Sequence, residues 1–264
     1  MTSSVAMLTR HDKARLIAPA LSQLGWQLTE LDSFDTDTLG SFAGEYPRFM
    51  TAQECAFRKA ALAAELSGRD IGLGSEGSFS VGPFGIGTYN LELICCVNVA
   101  EGWAVTGRFY GPSLARQWQL KDAAALEQAL ADVEPGQHLL LQQGHYLKKA
   151  LTVAQAHNLA LLRLANGDVT LSYDLRAHLS PQRRLHIQQA ADDLARRLQS
   201  YCPECSTPGF WPDKALPGLP CEACGVATNL TRHRRACCQH CGHTTITPVA
   251  ARHASQQYCQ ECNP

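Results

Sequence analysis

The sequence predicts an α/β domain, a mixed sheet flanked by helices, followed by a small zinc-ribbon domain with two four-cysteine sites. Three observations predict it. Strand-like apolar runs alternate with amphipathic helical stretches through the first 200 residues, the pattern of strands joined by helical crossovers. One hairpin interrupts that alternation, so the sheet is mixed. Nine of the twelve cysteines fall between Cys202 and Cys262. A chain of 264 residues suits one medium domain plus a small one, here 1–200 and 201–264 with the boundary near Ser200.

The elements follow in order. "SVAML" (4–8) reads as a short strand, and "HDKARLIAPALSQLG" (11–25) as a helix in which Pro19 places a kink or restart. "TAQECAFRKAALAAEL" (51–66) is Ala-rich with Glu and Lys, hence helical. "DIGLGS" reads as a strand running into a Gly/Ser-rich turn that carries Glu76. "LELICCVNV" (91–99) and "WAVTGRFY" (103–110) form the hairpin, with Cys95 and Cys96 as buried core thiols. "LKDAAALEQALADV" (120–133) is a helix; "QHLLLQ" (137–142) and "DVTLSY" (168–173) are strands. Ser180 and Pro181 then supply a cap and a first-turn proline. The helix they start carries Ile187, Ala191, Leu194, Ala195 and Leu198 on one face.

Composition excludes some classes of function. Hydrophobic residues make up 45%, enough for a core, and the net charge of −1 gives no global field toward nucleic acid or membrane. No apolar run approaches the ~20 residues of a membrane span. The start, "MTSSVAMLTRHDKAR", lacks a basic segment followed by a long apolar one, so we expect a cytoplasmic protein with no membrane partner. In that compartment clustered cysteines favour metal over disulfides. The sequence is compatible with an oligomer.

The tail holds four CxxC pairs: Cys202/Cys205, Cys221/Cys224, Cys238/Cys241 and Cys259/Cys262. A CxxC turn lets two thiolates meet one ion, and two turns complete the four-cysteine shell of structural Zn²⁺. Eight thiols therefore imply two zinc ions. Sequential pairing of the turns gives two ribbons, while a crossed pairing satisfies the same eight ligands. Cys237 is a spare thiol, and His240 and His243 are further donors that the shells do not need. The plainest role of such zinc is to fold a tail too small for its own core. The sharper one is nucleic-acid or protein binding through "TRHRR" (231–235), although residues 201–264 hold five Lys/Arg against four Asp/Glu.

Three segments of the first domain carry candidate chemistry. Thr9, His11 and Lys13 lie between a strand and a helix, where free N–H groups and the lysine suit an anion. Glu54 and Arg58 stand one turn apart on the second helix, an ordinary ion-pair spacing, while Lys59 points about 140° away from Glu54. Ser75 and Glu76 follow at an expected strand end, where α/β sheets place ligands. In "YDLRAHLSPQRR" (173–184), Asp174, Arg176 and His178 alternate and share a face if extended. Arg183 and Arg184 sit in a first helical turn, which disfavours cations unless an anion is near or they pair with Asp174, Asp192 or Asp193.

The motifs "TRHDK", "ECAFRKA" and "GRDIGLGSEG" together resemble the inosine/xanthosine triphosphate pyrophosphatase superfamily, which includes the Maf proteins, over about residues 5–80. The resemblance implies a related α/β fold and Mg²⁺-dependent hydrolysis of modified nucleoside triphosphates to monophosphate and pyrophosphate. It implies that Lys13 cradles phosphates, Glu54 and Glu76 hold Mg²⁺ (or Glu76 acts as base), and Lys59 and Arg176 neutralise charge. His178, Arg183 and Arg184 would then face base or phosphate. His11 and Cys55 stand where that superfamily has asparagines. The whole chain also resembles an uncharacterised bacterial domain-of-unknown-function family, through the "SEGSF" turn, the "DLRAH" segment and the terminal CxxC knuckles. The expected ligand is a nucleotide or other phosphorylated small molecule. The alternative is a non-catalytic nucleotide sensor whose zinc tail contacts nucleic acid or protein.

Overall fold

The computed structural model describes residues 4–9, 13–31 and 50–264. The expected loop residue His11 lies outside these. The chain divides into two compact units: Met1–Val99 with Gly107–Ala195, and Ala100–Thr106 with Arg196–Pro264.

The first unit begins with β1 (Ser4–Leu8), α1 (Lys13–Ser22), β2 (Gln27–Leu31), α2 (Ala52–Ser67) and β3 (Ile71–Val81). Then come β4 (Thr88–Asn98) and β5 (Trp103–Ser113), and the five strands are ordered β2-β1-β3-β4-β5. β1 is parallel to both β2 and β3, and β3 is antiparallel to β4, so the sheet is mixed. Four of the five residues of β1 are buried, as expected for a parallel strand covered on both faces. Right-handed crossovers in this order put α1 and α2 on opposite faces of the sheet, with the switch of direction at β1.

α2 starts with a capping box, in which Thr51 accepts from the Glu54 N–H and Glu54 accepts from the Thr51 N–H, and it ends at Gly68 with φ 64°. Its Ala56, Ala60, Ala63 and Ala64 are buried. A Cβ on Gly72 or Gly74 would overlap the α2 backbone at Ala60 and Ala56. The glycines of "DIGLGSEG" therefore serve close helix-on-strand packing. The expected Gly/Ser turn does not form: residues 71–81 are one continuous strand, and Glu76 sits in its middle rather than at its end. We expect Gly74→Ala to destabilise the fold by about 1–3 kcal/mol, the usual cost of overpacking, in urea denaturation. An unchanged midpoint would mean that α2 stands further from β3 than described.

A second sheet, ordered β6-β9-β7-β8, comprises β6 (Gln117–Leu120), β7 (Leu139–Gln143), β8 (Tyr146–Leu151) and β9 (Val169–Tyr173). Every pair in it is antiparallel. With α3 (Ala123–Ala131) and α4 (Val153–Leu164) it closes a separate core around Leu120, Leu126, Leu139, Leu141 and Leu171. α5 (Pro181–Leu198) buries Ile187, Ala191, Leu194, Ala195 and Leu198 as its spacing predicts. Gly107 of β5 has no room for a Cβ beside Ala190 and Leu194 of α5. The sequence reading passed over β2, β6, β8 and α4.

The second unit holds β10 (Lys214–Pro217), β11 (Thr231–Cys237) and β12 (Thr244–Pro248), an antiparallel sheet with β11 in the centre. Besides cysteines and alanines, its buried apolar side chains are Trp103, Val105, Leu198 and Leu219. A core this small commonly relies on cross-links or metal as well.

Candidate functional site

β1 ends at Leu8 while β3 runs on beside it, and the chain turns outward from β1 in both directions. In open α/β sheets ligands bind outside the carboxyl ends of strands at such a switch. The described side chains placed there are polar and buried: Thr9, Lys13, Lys59, Ser75, Glu76, Glu92 and Arg183.

Lys13, the first residue of α1, donates from Nζ to Ser75 Oγ at 3.2 Å. Among the described residues no carboxylate lies within ion-pair distance of this ammonium, although Glu92 and Glu76 are near enough to favour its charge. Burial and then the Arg183 guanidinium depress its pKa from 10.5 to about 8. A protonated Lys13 is therefore held against a penalty of about 3 kcal/mol. The sign follows from linkage: the unfolded chain binds more protons between pH 8 and 10.5, so this group adds stability as pH rises through that window.

On the α2 side of β3, Lys59 Nζ stands 2.7 Å from Glu76 Oε2, and the Cys55 thiol lies 3.4 Å from the same oxygen. Glu54 is not part of this group. Its carboxylate is exposed and accepts from the backbone and hydroxyl of Thr51, which hold its pKa down. Glu54 and Glu76 thus do not form the carboxylate pair expected to hold Mg²⁺.

On the other face, Arg183 and Glu92 form an ion pair, Nε to Oε1 at 2.6 Å, with both side chains almost fully buried. Arg183 Nη1 also donates to the Leu175 carbonyl at 2.6 Å, tying α5 to the end of β9. Asn90 donates from Nδ2 to Glu92 Oε1, and its Oδ1 faces His186 Nδ1 at 2.9 Å as an acceptor, which selects the Nδ1-protonated ring. His186 stacks on Phe109, and burial lowers its pKa. A Cβ on Gly77 would strike the Arg183–Glu92 pair. Arg183 therefore has Glu92 as its buried ion-pair partner, while Arg184 is exposed. Glu92, Asn90 and His186 were missed in sequence. The available signal was Asn90 and Glu92 at alternate positions of an otherwise apolar strand, hence on one face.

Asp174 is 1% exposed and accepts from Ala150 N–H and from the backbone and guanidinium of Arg176. Burial raises its pKa, but those donors outweigh it and the net shift is downward. The segment is not an extended phosphate strip. Ala177–Leu179 is a 3₁₀ turn, and His178 on it is exposed rather than aligned with Asp174 and Arg176.

In the second unit the cysteines gather into two groups, Cys202/Cys205/Cys238/Cys241 and Cys221/Cys224/Cys259/Cys262. The pairing is crossed, first turn with third and second with fourth, not sequential as two successive ribbons require. All twelve cysteines are free thiols. A tetrahedral Zn–S shell with bonds of about 2.3 Å puts its sulfurs about 3.8 Å apart. The Sγ separations are 3.6 Å for Cys202–Cys241, 3.5 Å for Cys205–Cys238, 3.9 Å for Cys221–Cys262 and 3.6 Å for Cys224–Cys259. These donors fit two zinc ions.

Hydrogen bonds from the Thr207 side chain and backbone hold Cys205 down to about 6. The neighbouring thiol of Cys224, then desolvation and the thiols of Cys259 and Cys221, push Cys262 up to about 12. Four thiolates this close need a metal to coexist. Cys237 is exposed and outside both groups, and His243 lies 3.9 Å from Glu204 rather than in a shell.

No helix among the described residues is long and apolar enough to cross a membrane. No curated protein and no solved structure matches the chain. One family model does, and its span takes in Lys59, Glu76, Glu92, Arg183 and all eight cysteines of the two centres. Since it covers residues 59–264, the chain belongs to the family described as Domain of unknown function (DUF6671).

Proposed function

We propose that the α/β unit binds the phosphates of a nucleotide at the carboxyl end of β1, with the zinc centres folding the second unit. One observation carries the reading: Lys13 is a buried ammonium with a hydroxyl for company and no carboxylate partner among the described residues. An uncompensated buried cation is costly, and an anionic ligand relieves that cost. The α1 N-terminus supplies the complementary dipole, and the switch at β1 supplies the place. The resemblance to the inosine/xanthosine triphosphate pyrophosphatases points to a nucleoside triphosphate as the ligand.

The stronger form of this reading adds Mg²⁺-dependent release of pyrophosphate, with Glu76 as the reacting carboxylate and Thr9, Lys59 and Arg176 around the phosphates. The Lys59–Glu76 pair and the turned-away Glu54 favour the weaker form, binding without turnover.

The test is calorimetric titration with tripolyphosphate and with normal and deaminated nucleoside triphosphates, followed by a pyrophosphate-release assay with Mg²⁺. Lys13→Met is expected to weaken binding about 10- to 100-fold, the loss of one charge-assisted contact. Affinity should be flat below pH 8 and fall as Lys13 loses its proton above about 8. Equal binding by Lys13→Met, or affinity that rises through that window, removes the assignment. Pyrophosphate release by the native chain that is lost in Glu76→Gln, with tripolyphosphate binding kept, selects the enzyme over the sensor.

A further inference from the structure

The modest net charge of the second unit conceals a local asymmetry. From Ala223 to Gln260 there is no Asp or Glu, while Arg232, Arg234, Arg235 and Arg252 all fall within that stretch. Three of these arginines lie on β11, the central strand of the small sheet. Strand alternation puts Arg232 and Arg234 on one face, both exposed, and His233 and Arg235 on the other. Lys214 pairs in register with Arg235 on the neighbouring strand. Among the described residues none of Arg232, Arg234, Arg235 or Lys214 makes an ion pair, and Arg235 Nε is buried with no hydrogen-bond partner.

The neighbours of the exposed pair are small. Ala215 and Thr247 stand opposite Arg234 on the flanking strands, so its guanidinium rises clear of the sheet. The same face carries no large apolar or aromatic side chain; Ala236 is its buried member. Protein interfaces are anchored by aromatic and aliphatic side chains in desolvated pockets. A face made of guanidinium forks and hydroxyls, without an anchor, suits a partner whose affinity comes from charge. Beyond α5 the unit has only a single 3₁₀ turn, Gln256–Tyr258, so it offers no helix to enter a duplex groove.

We propose that the Arg232/Arg234 face of the zinc-bound unit holds the phosphate backbone of a single-stranded nucleic acid, without reading its bases. Arg232 and Arg234 lie about 7 Å apart along the strand and take phosphate oxygens through their forks. Lys214 and Arg235 contribute field from the other face. This surface is independent of the nucleotide reading of the first unit.

The experiment is fluorescence anisotropy of a labelled single-stranded oligonucleotide of mixed sequence, titrated with zinc-loaded full-length protein between about 50 and 200 mM salt. Binding is expected with a log–log salt slope of about −1.4, as the two arginines each neutralise a phosphate. Arg232→Ala/Arg234→Ala should reduce the slope by about 1.4 and weaken binding at low salt at least about tenfold, with zinc content unchanged. Arg232→Lys/Arg234→Lys should keep most of the slope. Several results would overturn the proposal: no binding at low salt, equal binding by the double alanine variant, or displacement by polyglutamate at matched charge, which would mark an acidic protein as the partner. Loss of zinc from the alanine variant would overturn it too, since the arginines would then serve the thiolate centres.

Discussion

Replacing one cysteine, in Cys205→Ser, is expected to cost the protein both zinc ions. In two successive ribbons each metal closes its own loop, and a lesion in one leaves the other intact. Here the second turn, Cys221/Cys224, lies inside the loop closed by the first centre. The third turn, Cys238/Cys241, lies inside the loop closed by the second. Each centre therefore holds in place half of the other's ligands. The unit's apolar core is small, and metal binding is expected to supply much of its folding free energy. Native mass spectrometry across a zinc titration should show chains with none or two ions and few with one. Cys224→Ser, from the other centre, should give the same result. A Cys205→Ser chain that keeps one firmly bound zinc would mean that the centres are independent.

The second large effect is expected at Glu92. Glu92→Ala leaves Arg183 buried without its partner, which costs about 3–5 kcal/mol, a large share of the roughly 5–15 kcal/mol that holds a domain together. The loss should appear as a lowered urea midpoint. Glu92→Leu combined with Arg183→Leu should recover much of it, because removing both charges also removes the desolvation penalty. An Ala variant within about 1 kcal/mol of the native chain would show that water reaches the pair and screens it.

Much of this architecture was legible. Apolar runs or helix-forming composition marked β1, α1, α2, β4, β5, α3, β7, β9 and α5, because those elements are buried along much of one face or both. β2, β6 and β8 were not legible. They are short, and their exposed positions carry Gln, Glu and Lys that blur the alternation. The "DIGLGSEG" stretch misled for a different reason. Glycine and serine usually mark a turn, but here Gly72 and Gly74 answer to a helix passing over the strand, a constraint set by Ala56, Ala60 and Ala64 on the preceding helix that no local pattern displays.

The candidate site was legible in part. Lys13, Lys59, Ser75, Glu76 and Arg183 were named from sequence, and all are buried near the end of β1 or along β3. Their partners were not. Ion pairs such as Arg183–Glu92 join residues ninety-one positions apart, and charge sign alone cannot choose among the carboxylates of a chain. Glu54 drew attention by its spacing to Arg58, yet the nearer competitor was Thr51 three residues back, and the cap won. For the cysteines the spacing disclosed eight candidate ligands and room for two ions but not which turns meet. Sequential and crossed pairings satisfy the same coordination chemistry and differ only in the path of the chain between turns.

That path has a consequence during synthesis. The closest sulfur contacts of the two centres join residues 33 to 41 positions apart. At roughly 5–20 residues per second, the thiols of the early turns wait about 2–8 s for their partners to leave the ribosome. Throughout that interval they are solvent-facing nucleophiles, open to oxidation or to capture of the wrong metal. Neither centre can mature as the chain emerges, turn by turn. The unit assembles late, and the supply of reducing equivalents and of free zinc over those seconds governs how much of each newly made chain becomes functional.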